Sequence, residues 1–475
     1  MRIFQRPFRT KKPKRLMILG LDCAAPQLMF DTFLDDLPTI KSFMQQGTWG
    51  TLRSSTPCIT IPAWSSMLTS RDPGELGFYG FRNRVDYSYD KQAVVNSHSV
   101  KFPRIWDYLS AENKQCFIAG VPQTYPPQPI NGHLISGFLA PNTQSAFTYP
   151  AIFKQEILSI APNYAFDVKD FRTDDKFKLS QQLFDLAEVQ FTVLKHAIQT
   201  KAWDFFMHVN IGVDRVHHGF WRFHDPEHRA YEANSPYQNT IRDYYKLVDL
   251  QIKQLIDLAA DDVAVLIVSD HGVKRMDGGI CINEWLWRNG WLAFKTLPIE
   301  GAITRFDTDN VDWSKTRAWG MGGYYGRVYL NVAEREPQGI VPQSAFEEIR
   351  NQLSAELQKI TVPEVGQLET KVMKPEDIYH SVSNIAPDLM VYFGNLHWRS
   401  VGSLGHGAYY TYQNDTGPDD ANHAEEGLFI FYDPATTGLG HAMMDQQLMD
   451  IAPTILHHMN LTIPHDMRGK VIQTT

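Results

Sequence analysis

The chain has 475 residues, 43% of them hydrophobic and 21% charged, a globular composition long enough for one large α/β domain with insertions or for two domains. Its net charge of −8 and pI near 6.1 leave no global basic field to recruit nucleic acid. The cysteines Cys23, Cys58, Cys116 and Cys281 are scattered and form no Cys-x-x-Cys pair, which fits reduced thiols better than a disulfide framework.

Residues 1–14 are rich in Arg and Lys and are expected to form a solvated basic tail. The apolar stretch 16–21 is too short for a signal peptide and ends in Asp22. No run approaches the about 20 apolar residues of a membrane span, and the protein is expected to be cytoplasmic. The run 15–21 reads as a buried strand ending at Asp22. A helix over 38–46, a short strand over 47–52 and a helix over 62–69, opened by Pro62, follow. A strand at 115–121, a loop at 143–150 and a long amphipathic helix at 177–200 come next. Residues 205–213 are a second apolar run, which delivers Asp214, Arg215, His217 and His218. Helical spacing of Ile241, Tyr245, Val248, Ile252, Leu255 and Ile256 predicts a crossover helix over 240–259. A third apolar run, 263–268, leads to Asp270, His271 and Gly272.

The pattern loosens after 274, and 275–385 reads as an inserted subdomain or lid. The aromatic crowding at 285–326 and 398–412 is either a stacking platform or ordinary core. Buried strands return at 388–393 and 427–432, and 450–458 closes the chain as a helix. Alternating strands and helices predict an α/β/α sandwich around a mostly parallel sheet. The expected core is 15–274 with 386–475.

Ligands of such sheets gather at the carboxyl ends of the strands, where this chain offers Asp and His. These groups chelate divalent cations, so the pattern predicts a metal-dependent enzyme. Asp214 and His218 are four apart, so on a helix both can face one metal. His217 then points elsewhere, to a structural or supporting role. Asp270-His271 reaches one site only if the chain turns past its strand, which Gly272 permits. Thr60 stands just before a helix, either as a hydroxyl in the positive end of the dipole or simply as its N-cap. Ser65 and Ser66 fall inside that helix. His224 and His228 sit in a surface-turn composition.

Thr60 followed by Pro62-Ala-Trp-Ser-Ser-Met-Leu-Thr69, then Asp214-Arg-Val-His-His218 with Asp225-Pro226 downstream, then Ser269-Asp-His-Gly272, resembles the type I phosphodiesterase and nucleotide pyrophosphatase branch of the alkaline phosphatase superfamily. The likeness runs over nearly the whole chain. It implies one metal on Asp22, Thr60, Asp270 and His271, a second on Asp214, His218 and His423, and Thr60 as nucleophile. His406, between two glycines, is a rival for His423. Two divalent ions would clamp the attacking and leaving oxygens of a phosphoryl transfer. Zn²⁺ suits the donor set first, with Mn²⁺ or Fe as alternatives. The implied substrate is a small phosphodiester or pyrophosphate. Where nucleotide pyrophosphatases carry an Asn after the nucleophile helix, counting reaches Phe81, with Asn83 close by, and Leu76 replaces a turn His. Both departures argue against nucleotides more than against metals. The alternatives are a phosphomonoesterase, with Arg53 or Arg71 reaching the phosphoryl group, a sulfatase, or a non-catalytic metal-binding protein.

Overall fold

A computed structural model describes residues 14–436 and 440–473. All but Lys14 of the expected basic tail lies outside the described residues. A nine-stranded sheet runs through the molecule in the order His441–Gln447, Thr48–Arg53, Glu426–Tyr432, Val263–Val268, Arg15–Leu21, Phe205–Asn210, Cys116–Ala119, Gly132–Ile135, Thr148–Tyr149. The run from Val263–Val268 to Gly132–Ile135 is parallel throughout. The sheet is therefore mostly parallel, with antiparallel pairings around Glu426–Tyr432 and at the Thr148–Tyr149 edge.

Alternation along the central strands divides two cores. Met17, Leu19, Leu21, Val265 and Ile267 pack with Leu183, Val216 and Ile252 on one face. Leu16, Ile18, Met207, Leu266 and Val268 pack with Trp64, Ile105 and Ile455 on the other. Side chains alternate across a strand, and with helices on both faces both sets are overwhelmingly apolar, His208 and Asn210 being the buried polar exceptions on Phe205–Asn210. That is why these strands read as unbroken apolar runs. The long helices Lys176–Thr200, Gly212–His224 and Thr240–Leu258 cover the first face, and Thr60–Thr69, Ile105–Ala111 and Ile451–His458 the second.

A smaller antiparallel sheet is ordered Ala318–Met321, Gly326–Leu330, Leu389–Tyr392, Lys371–Met373. Its core contains Trp285, Trp291, Trp313 and Trp319, all buried, so these tryptophans serve as packing rather than as an open platform. Of the two returning strands, Glu426–Tyr432 enters the main sheet. Leu389–Tyr392 pairs with Gly326–Leu330 and Lys371–Met373 in the smaller one, which thus takes strands from both sides of residue 385.

Candidate active site

Three neighbouring strands end level with one another. Leu21 pairs with Asn210, and Gly20 with Val268. Asp22 follows its strand directly and is fully buried. Asp214 falls in the first turn of Gly212–His224, with His218 one turn on, and Asp214 Oδ1 lies 3.2 Å from His218 Nε2. Asp270 and His271 occupy the turn after Val263–Val268, with Asp270 Oδ2 3.3 Å from His271 Nε2. Gly272 is required by proximity: a Cβ there would come within 2.2 Å of the Glu426 carbonyl oxygen. His423 lies on Ala421–Ala424, opposite Val273 in an antiparallel pair.

The helix begins at Thr60 rather than at Pro62, and its N-cap is Ile59. Pro62 fits in the first turn because no intrahelical partner awaits its missing N–H. Thr60 is thus inside the helix and caps nothing. Its Oγ1 stands 3.4 Å from His271 Nε2.

Ligand atoms of Asp22, Asp270 and His271 all lie within 4.8 Å of one another, and so do those of Asp214, His218 and His423. The two groups adjoin, since the His271 and His423 rings stack with centroids 3.9 Å apart. Every carboxylate has one oxygen engaged and one free. Asp22 Oδ2 accepts from Trp64 Nε1 at 2.7 Å, Asp270 Oδ1 from the Cys23 amide at 3.2 Å, and Asp214 Oδ2 from Arg215 Nη1 at 2.6 Å. Asp22 Oδ1, Asp270 Oδ2 and Asp214 Oδ1 are buried without a partner. Each histidine is anchored through Nδ1: His271 to the Gly272 carbonyl, His423 to the Cys58 carbonyl, His218 to Asp419 Oδ1 at 2.7 Å. Three Nε2 atoms and three carboxylate oxygens are left facing one another. Buried polar atoms are rarely left unsatisfied, and this donor set, oriented through its outer nitrogens, suits divalent cations.

The electrostatics agree. Burial, then the neighbouring Asp214 charge, pushes Asp22 well above the ordinary carboxylate range, and burial with Asp22 does the same to Asp270. Asp214 is also buried, yet His218 and Arg215 hold it well below that range. Burial pushes His271 down to about 4 and, with His271 beside it, His423 well down, which keeps both imidazoles neutral. His218 is pushed up to about 9: burial opposes the charge, but Asp419 and Asp214 outweigh it.

Other expected residues sit elsewhere. His406 Nε2 bonds Ser403 Oγ, and the Gly405 beside it packs on the Ala302 carbonyl, so it joins neither group. His217 is fully buried against the Tyr245 hydroxyl. The Asn83 amide is consumed by its own turn, accepting from the Tyr79 amide and donating to the Gly80 carbonyl. Phe81 is half-buried beside Phe138. Arg71 is tied to Glu75 and Asp466 just past the far end of the helix Thr60–Thr69.

The sequence reading missed Trp64, Cys23, Arg215, Asp419, Arg172 and Tyr324. For Trp64 a signal was available, because it lies four residues after Thr60 and so on the same helix face. The Tyr324 ring lies over both His218 and His423, with centroids 5.0 and 4.3 Å away.

Residues 16–419 match the family model of type I phosphodiesterase / nucleotide pyrophosphatase. No protein with a curated description matches. Among solved structures, human ectonucleotide pyrophosphatase/phosphodiesterase 5 is similar at a TM-score of 0.55 and 12% identity, over 95% of this chain and 97% of that one. An inactive variant of the murine protein in complex with AMP gives 0.55 and 13%, over the same shares. Phosphonoacetate hydrolase from Sinorhizobium meliloti, in complex with phosphonoformate, gives 0.58 and 13%, over 94% and 96%. These likenesses establish an alkaline-phosphatase-like fold.

Proposed function

The chain belongs to the type I phosphodiesterase / nucleotide pyrophosphatase family, a family of hydrolases, and from that premise we propose that it cleaves phosphodiester or pyrophosphate bonds with Thr60 as nucleophile. Two divalent ions, Zn²⁺ first with Mn²⁺ or Fe as alternatives, would be held by Asp22, Thr60, Asp270 and His271 and by Asp214, His218 and His423. The observation that carries this reading is the set of buried, unpartnered carboxylate oxygens and the imidazole Nε2 atoms turned toward them beside a hydroxyl at a helix start.

A pair of bound cations supplies charge stabilisation to the attacking and leaving oxygens of an in-line displacement. The rest falls to the chain. Thr60 Oγ1 forms the new bond to phosphorus and gives up its proton, and the P–O bond to the leaving group breaks, the departing alcohol or phosphate oxygen taking up that proton in net. Water then attacks the phospho-Thr60 diester, releasing the remaining half of the substrate as a phosphate monoester and returning one of its protons to the Thr60 hydroxyl. The free N–H groups of the first helical turn receive the phosphoryl oxygens. Trp64 and the Cys23 amide hold Asp22 and Asp270 in place.

Phe81, at the position where the resemblance led us to expect Asn, supports a small ester other than a nucleotide. A phosphomonoesterase gains no help from Arg71, whose charge is already matched. Residues 275–385 are proposed as a cover that brings Tyr324 over the site. No described helix is long and apolar enough to cross a membrane. The four buried, unpaired cysteines support a reducing, cytoplasmic setting, also proposed.

The test is metal content by elemental analysis on protein purified without chelator, beside turnover of bis-p-nitrophenyl phosphate and p-nitrophenyl phosphate. About two metals per chain and preference for the diester are expected. No metal and no turnover would reject the reading, and monoester preference would install the phosphomonoesterase instead.

A further inference from the structure

We propose that Asp419 is a positioning residue for His218, and that Arg172 and Tyr324 fix Asp419 in turn, so that the turn carrying Tyr324 sets the Asp214–His218–His423 pocket. The inference rests on the two-metal reading only for its metal readout. The geometry is independent of it.

Of the three histidines, His271 and His423 place Nδ1 against backbone carbonyls, whereas His218 places it against a carboxylate. The Asp419 side chain is fully buried. Its second oxygen accepts from Arg172 Nε at 2.9 Å and from the Tyr324 hydroxyl at 3.1 Å. That hydroxyl accepts from Arg172 Nη2 at 2.6 Å. The backbone adds a second grip, since the Asp420 amide donates to the His218 carbonyl at 2.9 Å. Tyr324 is itself pinned, because its carbonyl accepts from Asn422 Nδ2 at 3.0 Å, next to His423.

A carboxylate on Nδ1 fixes the imidazole as its Nδ1–H tautomer, holds the ring plane and makes Nε2 a stronger donor. Arg172, Tyr324 and His218 together engage both oxygens of Asp419, so turning its carboxyl would cost at least one of the three bonds. Tyr324 follows Gly322 and Gly323, and the chain can run there only with glycine: a Cβ on Gly322 would fall 2.5 Å from the Gly402 amide, and Gly323 has φ +151°. The smaller sheet thus reaches this histidine through a hydrogen-bonded chain.

The experiment uses the full chain with ¹⁵N-labelled histidine. In metal-free protein a protected Nδ1–H resonance, assigned by its disappearance in His218→Asn, is expected in the wild type and lost in Asp419→Ala. In competition with a zinc chelator, Asp419→Ala is expected to weaken one of two zinc equivalents by about 10–100-fold and leave the other unchanged. Tyr324→Phe is expected to weaken the same equivalent less. Persistence of the resonance in Asp419→Ala, or equal weakening of both equivalents, overturns the proposal. If Asp419→Ala does not fold, Asp419→Asn is read by the same competition, where unchanged zinc affinity overturns it. A wild type that takes up no zinc defeats the two-metal reading, while the resonance still decides the tie between Asp419 and His218.

Discussion

In the Asp22–Asp270–His271 group the anchors are neutral: an indole N–H, a backbone amide and a carbonyl. In the Asp214–His218–His423 group two anchors are ionic. Arg215, itself paired with Asp167, holds Asp214, and Asp419 with Arg172 holds His218. The surroundings act accordingly, burial and like charge pushing Asp22 and Asp270 up while His218 and Arg215 hold Asp214 down. The first group has no cation among its own anchors, and its raised carboxyls would ionise fully only beside a metal. The second carries its own counter-charge, and a metal there must displace a proton from His218. Two sites of similar donor type are thereby made unequal by what stands behind them.

The strongest way to break this comparison is Thr60→Ala. It removes the proposed nucleophile without touching an anchor, and turnover is expected to fall by about 10⁴-fold or more with metal content unchanged. Wild-type-like turnover would dismiss Thr60 from that role. Asp214→Ala separates the groups: one metal equivalent is expected to vanish while the other stays, and retention of both by elemental analysis would contradict the assignment. Trp64→Phe leaves Asp22 Oδ2 buried and unpaired. Zinc affinity of the first group alone is expected to drop about 10-fold, read by chelator competition.

The smallest effect concerns pH in the metal-free protein. The folded value for His218 is about 9, above the ordinary 6.5. Its contribution to stability is complete below about 6.5 and is lost as pH rises through about 9. The melting temperature is therefore expected to fall over that window by on the order of 2 °C, and to fall less in His218→Asn. An equal fall in both proteins would remove the ionic anchor from the comparison.

The central strands were legible because burial on both faces makes them continuous apolar runs. Asp214 and His218 were legible because helical spacing is local. The anchors were not, for a physical reason: Asp419 meets His218, and Cys23 meets Asp270, across about two hundred or more residues of chain. Nothing in a local pattern says which carboxylate will face an imidazole. The strand His441–Gln447 was invisible too, because as an edge strand it is largely exposed and polar and lacks the apolar signature. For Leu389–Tyr392 the pattern announced a buried strand but could not name its sheet.

Glu426–Tyr432 is wedged between Thr48–Arg53 and Val263–Val268. On a ribosome, then, the first four hundred residues emerge with the edges of both flanking strands unpaired, and His423 arrives only just before the wedge that closes them. Until residues 426–432 have emerged, the two facing strand edges are templates on which other chains can pair. In that interval the Asp214–His218–His423 group also stays unassembled.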